Sequence, residues 1–138
     1  MNWATALDAR TRASSDEISM TAAQIIGAAY EDAACDFLRH QGLALLARNH
    51  RARGGEIDLI MRDGETLAFI EVRYRRSAAY GGALASVDAR KRQRLAAAAR
   101  HYLSYHPEEE RPCRFDVLAH EGTGGWRWIK SAFDVGDD

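Results

Sequence analysis

Gly54-Gly55-Glu56-Ile57-Asp58-Leu59-Ile60, then Asp63-Gly64, then Leu67-Ala68-Phe69-Ile70-Glu71-Val72-Arg73 is the stretch that decides how this chain folds. It reads as two apolar strands joined by a tight turn, because Asp-Gly between apolar runs is a hairpin signal. Carboxylates set into strands this apolar need a compensating partner. Side chains alternate along a strand, so Glu56, Asp58 and Ile60 share a face, as do Leu67, Phe69, Glu71 and Arg73. With Asp63-Gly64 as a two-residue turn, Arg62 opposes Glu65, Asp58 opposes Phe69 and Glu56 opposes Glu71. The shared face is then apolar near the turn and acidic away from it. Ile57, Leu59, Met61, Ala68, Ile70 and Val72 make the other face, which is core.

A solvated face would be polar along its whole length. Glu56 opposite Glu71 is repulsive unless a cation or a proton intervenes. Mg²⁺ is the candidate, since it takes one or two carboxylates and keeps waters or phosphate oxygens. The alternative is that the acids form surface ion pairs with Arg51, Arg53, Arg73 and Arg75. A one-residue bulge would also break the register.

Upstream, Thr21-x-x-Gln24 fits a capping box, and Ile26, Tyr30, Ala33 and Phe37 recur at helical spacing to about His40. Gln41-Gly42 ends that helix. Glu31 lies at the flank of its apolar stripe, with the small Gly27 and Ala34 near it, and can join the site or be an ordinary boundary residue. Leu43–Ala47 reads as a buried first strand and residues 49–55 as a basic, flexible connection. Downstream, Ser77 to Ala85 reads as a mobile loop. Ser86 then caps a second helix with Val87, Lys91, Leu95, Ala98 and Tyr102 on one face. Arg114–Ala119 and Trp126–Lys130 are further strands around a glycine-rich turn. The order α-β-β-β-α-β-β predicts an α/β fold, a mixed sheet with helices on its faces. Residues 1–18 are read as a flexible N-terminal lead-in and 19–138 as a single domain.

The formal net charge of −1 is unevenly spread, with 12 basic and 6 acidic residues between positions 48 and 100. All 19 basic residues except Lys91 and Lys130 are arginine. Arginine suits bidentate phosphate contacts, so a nucleic-acid partner is expected, with a plain solvated surface as the alternative. Cys35 and Cys113 have no metal-ligand spacing, and no segment approaches a membrane-spanning run. The expected setting is reducing and cytoplasmic, away from membranes. The five histidines form no ligand or triad spacing. Trp126 and Trp128 share a strand face and read as core or a subunit contact.

Asp58, then Glu71-Val72-Arg73 ending the next strand, with the helical Glu31 before them, resembles the PD-(D/E)XK nuclease superfamily and its restriction-endonuclease-like fold. More closely the chain resembles the YraN-like family, through Gly55–Ile60, Phe69–Arg75, Arg114–Val117 and Ile129–Phe133. The resemblance runs from about Gly27 to Phe133 and implies an α-β-β-β-α-β core. It implies Asp58 and Glu71 as ligands of Mg²⁺ (or Mn²⁺), with Glu31 as the helical carboxylate; from its place on the hairpin face Glu56 is expected to assist at the metal. The lysine of the superfamily motif is replaced by Arg73, which cannot act as a base but can orient a water or stabilise charge on phosphate. Lys91, facing inward from the second helix, can supply an ammonium. Arg51, Arg53, Arg75, Arg76 and Lys91 are expected to contact nucleic acid, DNA ahead of RNA, and Tyr80 to stack on a base or pack on the domain. The expected function is a metal-dependent endonuclease-like protein. The alternatives are a non-cleaving module for branched or damaged nucleic acid and a partner-docking accessory protein. The oligomeric state is open, a homodimer included.

Overall fold

The computed structural model describes residues 20–75 and 85–134. The lead-in expected over 1–18, Arg76, Tyr80 and nearly all of the loop expected over 77–85 lie outside the described residues.

Helix α1 (Ala22–His40) starts at the expected capping box: Thr21 accepts from the Gln24 N–H while the Gln24 side chain accepts from the Thr21 N–H. Strands β1 (Ala44–Ala52), β2 (Gly55–Asp63) and β3 (Thr66–Arg75) follow, then α2 (Ala89–Tyr105), β4 (Cys113–Glu121) and β5 (Trp126–Phe133). They form one five-stranded sheet in the order β1-β2-β3-β4-β5. The β3–β4 pair is parallel and the others are antiparallel, so α2 lies in the crossover that a parallel pair requires. The result is the mixed sheet and element order expected from the sequence.

Each sheet face is covered by one helix. Ala34, Cys35 and Leu38 of α1 pack with Leu59, Met61, Ala68, Ile70 and Leu118. Leu95, Ala98, Ala99 and Tyr102 of α2 pack on the other face with Ile60, Leu67, Phe69, Val117 and Ala119. The buried residues of α1 lie only in its C-terminal half, while its first turns are exposed, Ile26 to 54%. The helix therefore overhangs the sheet at its N-terminal end. Among the described residues, no helix is long and apolar enough to cross a membrane.

The hairpin register differs from the expectation by two residues. The last pair before the turn is Asp63↔Thr66, so the turn residues are Gly64 and Glu65. Gly64 takes φ +59, while Glu65 is not among the positive-φ residues, the pattern of a turn that needs glycine at its first central position. A shift of two preserves which residues share a face but changes who stands opposite whom. Continued past Leu59↔Ile70, the register sets Asp58, not Glu56, across from Glu71.

Two further expectations are corrected. β1 runs on to Ala52, because residues 48–52 pair with β2 instead of forming a flexible connection. The cap of α2 is Asp88, which accepts from the Lys91 N–H at 2.9 Å, and Ser86 precedes the helix.

A candidate carboxylate and cation site

The alternation of β1 and β2 is interrupted together. Ile57 and Ile60, three apart, both pack in the cluster under α2, whereas Leu59 packs under α1. Opposite them, His50 and Ala47 are also three apart and pair with these same two residues. Between them stands Asn49, at φ +51, a conformation asparagine tolerates better than most residues. This matched kink leaves the register of β1–β2 unchanged while freeing Asp58 from the strict in-out alternation.

At the same level β2 and β3 part: their pairing ends at Leu59↔Ile70, while β3 continues along β4 to Arg75↔Glu121. The Asp58 carboxylate fills the opening, its Oδ2 accepting from the Val72 N–H at 2.9 Å. Its other neighbour is the Glu71 carboxyl. Burial, then the Glu71 charge and a hydrogen bond with Glu71, push the Asp58 carboxyl up to about 7; the Val72 N–H and the Lys91 charge only partly offset this.

Glu71 is 4% exposed and carries two cations on one oxygen: Arg73 Nη2 at 2.9 Å and Lys91 Nζ at 3.3 Å from Oε2. Lys91 comes from the first turn of α2, where the helix dipole adds positive potential. Gly55 sets how closely that helix sits on the sheet, because a Cβ there would lie 1.9 Å from the Arg94 carbonyl oxygen. The Arg73 Nε–H is buried and has no acceptor among the described residues.

Glu31 reaches the same region from α1. Burial first, then the Asp58 charge, raise its pKa, while hydrogen bonds from Arg48 and Asn49 lower it. Arg48 lies 3.3 Å from Glu31 and 2.6 Å from Asp32. Glu56 pairs across the strands with Arg51, 3.4 Å away, and shares with Glu31 a separate groove of about 410 Å³. Of the expected ligands, then, Asp58 and Glu71 are in contact, Glu31 is within electrostatic reach of Asp58, and Glu56 is turned to Arg51. Among the described residues no group of three His, Cys, Asp or Glu side chains stands ready to hold a metal ion.

Arg51 and Arg53 are exposed on the β1–β2 end, and Arg75 donates to the Tyr74 carbonyl at 2.7 Å. Arg90, Lys91 and Arg94 line a cleft of about 340 Å³ together with Arg73. Arg92, on the same helix, is turned away, donating to the Val87 carbonyl and lying over the Phe133 ring. Asn49 and Arg48, which tie Glu31 down, carry no motif; the signal available for Asn49 was only its tolerance of positive φ. His50 and His101 meet at 3.0 Å between ring nitrogens, a contact that a separation of 51 positions conceals.

An α/β domain with a desolvated carboxylate pair at the point where two central strands part, flanked by arginine and lysine, is the class that fold and site define. The chain belongs to the uncharacterised protein family UPF0102, whose profile matches residues 30–119 and so spans Glu31, Asp58, Glu71, Arg73 and Lys91. It is 51% identical over 113 residues to a UPF0102 protein of Pseudomonas entomophila, covering 78% of this chain and 92% of that one. A UPF0102 protein of Alcanivorax borkumensis is 52% identical over 108 residues, covering 75% and 86%. One from Xanthomonas campestris pv. campestris is 51% identical over 113 residues, covering 80% and 93%.

Proposed function

We propose that the protein is a metal-dependent nuclease-like protein of the PD-(D/E)XK kind, acting on nucleic-acid phosphodiesters. The observation that carries this reading is the contact of Asp58 with Glu71 while Arg73 and Lys91 both sit on Glu71 Oε2. The donor set fits a hard divalent cation. Two carboxylates stand in contact, the Asp58 carboxyl raised to about 7, and Mg²⁺ needs only one or two protein carboxylates. Asp58 and Glu71 would hold it, with Glu31 near enough to act through a water. Mg²⁺ or Mn²⁺ bound there supplies charge stabilisation at the phosphate and a more acidic water.

The chain's own residues do the rest. Arg73 stays charged and cannot take a proton, but its Nε–H, unpartnered among the described residues, is a donor available to a phosphate oxygen. Lys91 brings to the site the ammonium that Arg73 does not, from a helix instead of the strand. Arg90 and Arg94 extend positive charge along the cleft and favour a polyanionic strand. The free thiols Cys35 and Cys113 suit a reducing, cytoplasmic setting.

Single-stranded, duplex and branched DNA and RNA incubated with Mg²⁺ or Mn²⁺ test the reading. Cleavage of at least one is expected, abolished by EDTA and by Glu71→Ala. No cleavage of any substrate, or cleavage untouched by Glu71→Ala, contradicts it. The occupation of Glu71 Oε2 by two cations favours a second reading, a module that binds without cutting. Salt-sensitive binding that survives Asp58→Ala, with no cleavage by the parent protein, would select it.

A further inference from the structure

The cleft between the overhanging turns of α1 and the end of β3 adjoins Asp58, Glu31 and Arg73, and its aromatic side is not used by the chemistry above. It measures about 570 Å³, within the range of small-ligand pockets. Ile26, Gly27 and Val72 line it with apolar surface, and Tyr30 and Tyr74 line it with their ring pair. The two rings lie 4.3 Å apart between centroids, tilted by 55°. Tyr74 is backed by the parallel ring of His120 at 6.1 Å, and Trp126 meets Tyr30 edge-on at 6.3 Å. The ring pair is therefore braced from behind, as a stacking surface must be. The cleft opens onto Asp58 and Glu31 at one end and carries Arg73 and Arg75.

Arg73 also lines the basic cleft on the α2 side with Arg90, Lys91 and Arg94. The two clefts thus share Arg73, one basic and one aromatic. A free anion in the aromatic cleft would face the Asp58 and Glu31 carboxylates, so a flat neutral group suits it and phosphates suit the basic side. Resting on the reading of Asp58 and Glu71 given above, we propose that the aromatic cleft receives one unpaired base next to the phosphodiester at those residues. The substrate class is then a strand with a single-stranded or frayed nucleotide. A base inside a continuous duplex is stacked on both sides and must be extruded before it can enter.

Gly27 provides the test. A Cβ there would meet nothing within 4 Å, so Gly27→Trp fills the cleft from an exposed helical position without disturbing the core. Binding of the full chain to a blunt duplex and to the same duplex with a single-stranded tail is measured by fluorescence anisotropy in Ca²⁺. A second tailed probe carries 2-aminopurine in its first unpaired nucleotide. The tailed duplex is expected to bind about tenfold tighter than the blunt one, with quenching of the 2-aminopurine by stacking. Gly27→Trp is expected to abolish the preference and the quenching while blunt-duplex affinity holds within about twofold. Tyr74→Ala, checked for folding by circular dichroism, should do the same. Equal affinity for tailed and blunt duplexes, or a preference that survives Gly27→Trp, overturns the inference. Cleavage of blunt duplex by wild type and Gly27→Trp alike would remove the base pocket and leave the nuclease reading standing. A tail preference lost in Gly27→Trp, with no cleavage in Mg²⁺ or Mn²⁺, would sustain the pocket and remove the nuclease reading.

Discussion

Asp116 on β4 and Asp58 on β2 are both carboxylates inside an apolar sheet, and they are satisfied in different ways. Asp116 is fully buried and accepts from Arg114 Nε on both oxygens, from Trp128 Nε1 and from the Ser131 N–H, each at 3.0 Å. Arg114 then continues to Asp63 at 2.8 Å. The bonds hold β5 at the place where its register against β4 shifts and Ser131 takes φ +52. Asp58 has a single backbone donor and, beside it, another carboxylate. Nearly all buried polar groups find partners, so a saturated carboxylate reads as a structural latch and an under-satisfied pair reads as a site that expects charge from outside.

The largest expected effect breaks the latch. Asp116→Ala leaves Arg114 and two N–H donors without their acceptor and should cost about 3–5 kcal/mol in urea denaturation. A loss under about 1 kcal/mol would erase the contrast between the two acids.

Asp58→Asn should act in the opposite direction in metal-free buffer. The folded-state pKa of Asp58 lies above the ordinary aspartate value of 3.8, at about 7, so the folded protein holds this proton more tightly than the unfolded chain does. The associated stability is fully present below the unfolded value and is lost as pH rises through about 7, an effect on the order of 2–4 kcal/mol. Denaturation curves from pH 4 to 8 in EDTA should show that decline in the wild type and a flatter profile in Asp58→Asn. Parallel profiles would mean that Asp58 does not bear the strain assigned to it.

A smaller effect concerns how Lys91 is brought to Glu71. Gly55→Ala places a methyl against the Arg94 carbonyl, so α2 must shift, at a cost of about 1–3 kcal/mol. If Lys91 matters to the chemistry, cleavage should fall further in this variant than the loss of folded protein explains, as read by comparing activity with the circular dichroism signal at low temperature.

The elements of this fold were legible where local chemistry announces them. The Thr21 capping box, the apolar runs of β2 and β3 and the inward stripe of α2 all formed as expected. The hairpin register was not, because Asp63-Gly64 and Gly64-Glu65 both read as two-residue turns with Gly64 at positive φ, and only the pairing of Asp63 with Thr66 separates them. The second half of β1 is hidden because residues 48–51 are all polar and its in-out pattern reverses at Asn49, so the stretch reads as a basic connection. At the site, Asp58, Glu71 and the inward Lys91 could be named from type and position. The pairing of Glu56 with Arg51 could not, since it depends on the register of two strands. The Asp116 latch was invisible for the same kind of reason: two of its donors, on Trp128 and Ser131, reach it from another strand.

Mn²⁺ titration by calorimetry at pH 8 tests the central claim most directly, comparing the wild type with Glu71→Gln and with Asp116→Asn, which alters the latch and leaves the site intact. The account predicts binding of one Mn²⁺ with proton release that grows as pH falls toward 7, kept in folded Asp116→Asn and lost in Glu71→Gln. No binding by the wild type, or equal binding by the wild type and Glu71→Gln, would contradict it.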